Sequence, residues 1–362
     1  MPLQKPNLLE VKNLSVSFFS FDPNRPSLKK QLEAKAVDNI SFCLKKGETL
    51  CLVGESGCGK SMTAYAVMGL VPVPGQISQG EINFMGQNLR DLPEKALQKI
   101  RGNRMSMIFQ EPMTALNPVL TIGCQIEEAL LAHQKMNKAQ LRARVMELLG
   151  KVGIPSPAER YHDYPHQMSG GMRQRIVIAM ALACNPSLII ADEPTTALDV
   201  TIQRQILDLL EDLSKELGTA TLLITHDLGV VKEVANQIIV MYAGNIMEQG
   251  NAKQIFHKPL HPYTIGLIAS SPRLPTPQEI KAAQQVENGE KTLSSRLPTI
   301  PGVVPSLWNK PLGCPFNTRC NKAFEPCFKS LPKLIAPSAN NPNHLVRCWL
   351  HEKSELDQQQ SA

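Results

Sequence analysis

Glu48-Thr-Leu-Cys-Leu-Val53 runs directly into Gly54-Glu-Ser-Gly-Cys-Gly59-Lys60-Ser61, and this junction sets the class of fold. The first piece is a short apolar run, the mark of a strand buried on both faces. The second fits G-x-x-x-x-G-K-[ST], in which glycines let backbone N–H groups turn toward phosphate oxygens. Ser61 to Leu70 reads as a helix whose N-terminal dipole adds to that attraction. Lys60 is then expected to reach the β- and γ-phosphates of a nucleoside triphosphate, and the Ser61 hydroxyl to ligate Mg²⁺. The expected nucleotide-binding set is Gly54, Ser56, Gly57, Cys58, Gly59, Lys60, Ser61 and Met62. A chance glycine-rich turn could match the pattern alone, but the strand–loop–helix setting argues against it.

Downstream, Leu188-Ile-Ile-Ala-Asp192-Glu193 reads as another buried strand ending in two adjacent carboxylates. A lone Asp after a strand is often only a turn or cap. Here Asp192 can hold Mg²⁺ while Glu193 addresses an attacking water, the two roles that hydrolysis of a triphosphate needs. Met168-Ser169-Gly170-Gly171-Met172 opens a helix, a second anion-binding N-terminus. One nucleotide does not need two cradles, so Ser169, Gly170 and Gly171 are read as serving a nucleotide held by a partner subunit. His226 follows the strand Thr221–Thr225 and could be structural, but it is well placed to hydrogen-bond the γ-phosphate.

Outward from these motifs, the 362 residues suffice for one large domain and an appendage. An apolar fraction of 43% is ordinary for a globular chain, and a net charge of +6 excludes little. No cationic stretch with an apolar core opens the chain, and the longest apolar run, Ile176–Cys184, is nine residues. These readings predict a cytosolic chain that meets a membrane only through partners. Strand–helix alternation resumes from Ser169, with an amphipathic helix from about Val200 to Gly218, and argues for a largely parallel sheet. The expected division is a nucleotide-binding domain over residues 1–272, a linker over 273–295, a Cys-rich C-terminal domain over 296–350 and a polar tail over 351–362. A helical subdomain is expected over about 91–180, with Asn137 capping one of its helices.

Ser169-Gly-Gly-Met-Arg-Gln174, Asp192-Glu-Pro-Thr-Thr-Ala-Leu-Asp199 and Ile224-Thr-His-Asp-Leu228 together closely resemble the nucleotide-binding subunits of ABC transporters. The resemblance covers roughly residues 8–272. It implies an α/β P-loop ABC ATPase: a RecA-like mixed core with an antiparallel β subdomain, a helical subdomain and a small Cys-rich C-terminal extension. It further implies ATP and Mg²⁺ as ligands, Glu193 as general base, Lys60 and His226 as catalytic partners, and Asp199 as a contact across a dimer. Gln110 becomes a γ-phosphate sensor near Mg²⁺ that also contacts the transmembrane partner, and Phe18 the adenine-stacking candidate, with Phe19 or Phe21 as alternatives. Met168 and Met172 depart from the Leu and Gln usual at the ends of the Ser-Gly-Gly signature.

Phe109-Gln-Glu-Pro112, Lys258-Pro-Leu-His-Pro-Tyr263 and Gly313-Cys-Pro-Phe-Asn-Thr-Arg-Cys320 narrow the resemblance to di- and oligopeptide importer ATPases. That implies a homologous second ATPase, two membrane permeases, an extracytoplasmic binding protein delivering peptide, and a place on the cytoplasmic face of the membrane, with no nucleic acid involved. Nickel and glutathione importers share the architecture, and a non-transporter ABC ATPase is the more distant alternative. Of nine cysteines, Cys314, Cys320, Cys327 and Cys348 are separated by five, six and twenty residues, which lacks the paired knuckles of a zinc ribbon. Some members of the resembled group are thought to carry an iron–sulfur cluster in this tail, so the resemblance implies a [4Fe–4S] cluster on these four. A segment with little apolar content of its own also favours a metal staple over four reduced thiols.

Overall fold

The computed structural model describes residues 7–21, 31–111, 115–196, 198–271 and 299–352. Among them, β3 (Thr49–Val53), β6 (Met105–Ile108), β7 (Leu188–Asp192), β8 (Ala220–Ile224) and β9 (Gln237–Tyr242) run parallel, and β10 (Asn245–Gly250) returns antiparallel to β9. With β11 (Leu345–Val346) they form a sheet in the order β11-β10-β9-β3-β8-β7-β6. A second, antiparallel sheet holds β1 (Asn7–Phe21), β2 (Gln31–Lys45), β4 (Gly75–Phe84) and β5 (Gln87–Asn88), in the order β2-β1-β4-β5.

The apolar runs become central strands because both their faces are covered. Leu50 and Leu52 of β3, Leu188 and Ile190 of β7, and Leu222 and Ile224 of β8 point into a core shared with Val11, Leu14, Val16 and Ile40 of the antiparallel sheet. Their neighbours Cys51, Val53, Ile189, Ala191 and Leu223 point the other way, into a core built with the helices. A period of two thus divides each strand between two cores.

The helices follow their end signals. Lys138–Lys151 begins with a capping box made by Asn137 and Gln140, and buries Leu141, Val145, Leu148 and Leu149. Val200–Leu217 is capped by Asp199, buries Ile206, Leu207, Leu210 and Leu213, and stops at Gly218 in the left-handed region.

Residues 299–352 do not stand apart from this core. β11 extends the sheet by pairing Val346 with Glu248 and Leu345 with Gln249. Cys314, Phe316 and Cys327 belong to the same apolar cluster as β3, β7 and the helices. Phe316 packs its ring edge-on against Tyr242, 5.2 Å between centroids.

Candidate functional site

The order β3-β8-β7-β6 sets four parallel strands side by side with their C-terminal ends on one edge, where ligands of such sheets bind. Each end carries one sequence motif: Gly54–Ser61 after β3, His226 after β8, Asp192–Glu193 at β7 and Gln110 after β6. Segments up to 172 positions apart therefore share one site (54 to 226).

The loop after β3 is pressed against its surroundings. A Cβ on Gly54 would lie 2.3 Å from the Met241 carbonyl oxygen, and one on Gly59 2.4 Å from that of Ala36, so neither position admits a side chain. The helix that follows, Lys60–Met68, starts at Gly59, and among the described residues no side chain caps the N–H groups of its first turn. Lys60 is buried, its Nζ donating to the carbonyls of Gly54 at 2.9 Å and Glu55 at 3.1 Å. Its ammonium sits under the loop, and a triphosphate would compete for it on better terms than two neutral carbonyls.

Ser61 Oγ donates to Asp192 Oδ1 at 3.0 Å. The other carboxylate oxygen, Oδ2, is buried without a hydrogen-bond partner among the described residues. Burial pushes the Asp192 carboxyl up to about 6; the Ser61 hydrogen bond opposes this, Glu193 reinforces it, and Lys60 opposes it. A buried carboxylate oxygen left unpaired beside a serine hydroxyl fits a hard divalent cation such as Mg²⁺.

Glu193 lies in the left-handed region at φ 46°, its N–H donating to the Ile224 carbonyl of β8 at 2.9 Å. Its Oε2 accepts from Gln110 Nε2 at 3.1 Å and from Thr196 Oγ1 at 3.1 Å, and His226 Nδ1 stands 3.5 Å away. The structure thus brings together Gln110, Glu193 and His226, and beside them the Asp192–Ser61 pair. Among the described residues all these donors meet Oε2.

Ser169, Gly170 and Gly171 are engaged elsewhere. Ser169 Oγ caps the helix Gly170–Leu182 by accepting from Met172 N at 3.2 Å. A Cβ on Gly171 would lie 2.8 Å from Ile202 Cγ2, so these glycines also let that helix approach the start of Val200–Leu217. Asp199 spends a carboxylate oxygen on Ile202 N at 3.0 Å. Phe18 is half-buried on β1, opposite Gly75 of β4, where a Cβ would lie 2.8 Å from its ring. Phe19 is also half-buried, and the side chain of Phe21 lies outside the described residues.

Sequence reasoning missed what holds Glu55. Its N–H donates to the Tyr263 hydroxyl at 2.9 Å, and its carboxylate accepts from both terminal nitrogens of Arg319, at 2.5 and 3.0 Å. The glutamate raises the Arg319 guanidinium above its already high ordinary value. Tyr263 closes the Lys258–Tyr263 motif and Arg319 adjoins Cys320, but nothing in their spacing points to the loop.

The iron–sulfur expectation for Cys314, Cys320, Cys327 and Cys348 is corrected. Among the described residues no three His, Cys, Asp or Glu side chains are grouped to hold a metal ion. All four are free thiols; Cys314, Cys327 and Cys348 are buried and Cys320 is half-buried. Burial pushes the Cys314 thiol up to about 12 and the Cys348 thiol up to about 11. The inference failed on its premise, because this segment shares the large core of the sheet and needs no staple of its own.

This fold with this strand-end constellation defines a P-loop ATPase of the ABC type. The family model described as "ABC transporter" matches residues 37–196, and that described as "Oligopeptide/dipeptide transporter, C-terminal region" matches residues 247–327. The dipeptide transport ATP-binding protein DppD of Bacillus subtilis is 47% identical over 96% of this chain and 95% of its own length. DppD of Escherichia coli is 48% identical over 90% and 92%. A dimeric structure of the ATP-binding cassette MJ0796 in a post-hydrolysis state, bound to ADP and Pi, superposes with a TM-score of 0.58 at 28% identity, over 67% of this chain and 98% of that one. The chain belongs to the family of ATP-binding proteins of the dipeptide and oligopeptide ABC transporters. No helix among the described residues is long and apolar enough to cross a membrane.

Proposed function

We propose that this chain is the ATP-hydrolysing subunit of an importer for di- or oligopeptides, working at the cytoplasmic face of the membrane. The observation that carries it is the convergence of Gln110, Glu193 and His226 beside the Ser61–Asp192 pair at the mouth of the phosphate loop. In this reading the loop from Gly54 through Gly59, with Ser56, Gly57 and Cys58, and Lys60 and Met62 after it, binds the phosphates. Phe18 stacks on adenine. Ser61, Asp192 and Gln110 would hold Mg²⁺, which would supply charge neutralisation for phosphoryl transfer.

Glu193 accepts a proton from water as the oxygen attacks the γ-phosphorus, and the bond to the ADP oxygen breaks to release inorganic phosphate. Its hydrogen bonds from Gln110 and Thr196 fix Oε2 and leave Oε1 for the water. His226 bonds the γ-phosphate, and Lys60 stabilises charge on the transferred group. Ser169, Gly170 and Gly171 reach the nucleotide of a second, homologous ATPase, and Asp199 meets that subunit. Gln110 passes the closure of the pair to two permease subunits, and an extracytoplasmic binding protein delivers the peptide. Residues 296–350 form the Cys-rich extension of such subunits, its thiols reduced.

The peptide cargo rests on the relatives' names and the match to the C-terminal region. Glu193→Gln should bind ATP normally and lose at least about 100-fold in turnover; full turnover would remove Glu193 from the role of base. A strain deleted for this chain should lose uptake of labelled dipeptide and keep uptake of nickel. The reverse pattern would reject peptide as cargo.

A further inference from the structure

Glu55 is the second residue of the phosphate loop, yet it is held by residues 208 and 264 positions away. Tyr263 takes its backbone N–H and Arg319 takes its carboxylate as a two-pronged fork. Arg319 is 5% exposed and fully committed. Besides its two bonds to Glu55, it donates to Tyr242 Oη at 3.2 Å, to the Ile300 carbonyl at 3.2 Å and to the Pro301 carbonyl at 2.8 Å. A guanidinium has five N–H donors, and all of them are used. The group is flanked by the rings of Tyr242 and Phe316, at 5.7 and 5.9 Å from their centroids. It has no donor left for a ligand.

We infer that Arg319 is a positioning residue for nucleotide binding: it pins and neutralises Glu55, so that the loop meets a triphosphate with N–H groups and no loose carboxylate. An uncompensated anion within the loop would repel the incoming phosphates and could turn back to accept the loop's own N–H groups. Arg319 comes from residues 299–352, so that segment takes part in building the ATP site. This rests on the reading of Gly54–Ser61 as the triphosphate loop.

The test uses the full chain as wild type, R319A, R319K, E55Q and the double variant E55Q/R319A. Each is measured for affinity for a fluorescent ATP analogue, for KM and kcat of ATP hydrolysis, and for melting temperature. R319A should raise KM and Kd about tenfold, the scale of one charged hydrogen bond, with kcat within about twofold. R319K keeps the charge without the fork and should fall between. E55Q/R319A should return to within about threefold of wild type, because the charge that needed neutralising is gone. A role in packing alone would lower the melting temperature and gain nothing from E55Q. A folded R319A with unchanged KM, or a double variant no better than R319A, overturns the inference. If R319A fails to fold, R319K and the double variant decide it by the same criteria. A wild type that neither binds nor hydrolyses ATP overturns the nucleotide reading itself, and this inference with it.

Discussion

Replacing Glu248 tests how residues 299–352 are fastened to the sheet. Glu248 is wholly buried on β10, and its carboxylate takes three donors. Oε1 accepts from Leu260 N at 2.8 Å and from His344 Nε2 at 2.8 Å, and Oε2 accepts from His261 N at 2.9 Å. Glu248→Ala strands two backbone N–H groups and a buried imidazole, each costing about 1–3 kcal/mol, and leaves a cavity besides. Since neighbours relax and water enters partly, the expected loss is roughly 3–5 kcal/mol of unfolding free energy. Glu248→Gln keeps the volume but sets an NH₂ against a donor, so roughly 2 kcal/mol is expected. Chemical denaturation followed by circular dichroism, with the slope checked for constancy, measures both. An alanine variant within about 1 kcal/mol of wild type would refute the reasoning. So would a glutamine variant worse than alanine.

Three further outcomes follow from features already described. Gly59→Ala sets a Cβ 2.4 Å from the Ala36 carbonyl at a φ of +104°, so nucleotide affinity should fall at least about tenfold; unchanged binding by titration calorimetry would mean the loop is not rigid. Burial holds His261 down at about 4, against an ordinary value near 6.5, with Glu248 opposing the shift and His351 adding to it. The unfolded chain therefore binds the extra proton between those values, and stability should be full above pH 6.5 and fall by up to roughly 3 kcal/mol as pH drops toward 4. His261→Asn, which retains a capping acceptor for Tyr263 N, should flatten that slope; an equal slope in both proteins would contradict it. At pH 8 the exposed Cys43 and Cys124 should react with a disulfide reagent at once, and Cys51, Cys314 and Cys348 only on unfolding. Rapid reaction of all of them would refute their burial.

What could be read from the chain alone was whatever is local. Leu188–Ala191 and Thr221–Thr225 announce themselves as buried strands because every residue is apolar or small, and they appear as β7 and β8 within one residue. Asn137 signals a helix start, and it caps that helix in a box completed by Gln140 three residues on. The Gly54–Ser61 and Asp192–Glu193 motifs are contiguous, so their chemistry was legible before their meeting was visible. The stretch around β1, β2 and β4 read only as β-rich, since its register depends on partners far along the chain. The Glu55–Arg319 fork leaves no spacing signal across 264 positions. The four tail cysteines misled for a related reason: proximity in sequence suggested a self-contained cluster, whereas Cys314 and Cys327 fill the main core.

The two residues of β11 have a consequence for fragments of this protein. Leu345 and Val346 occupy the edge of β10, whose outer backbone groups would otherwise face solvent beside the apolar side chains of Ile246 and Met247. A version cut short before residue 299 would lose more than a contact. It would present a bare strand edge able to recruit a like edge from another copy, and its failure would show first as self-association rather than as unfolding.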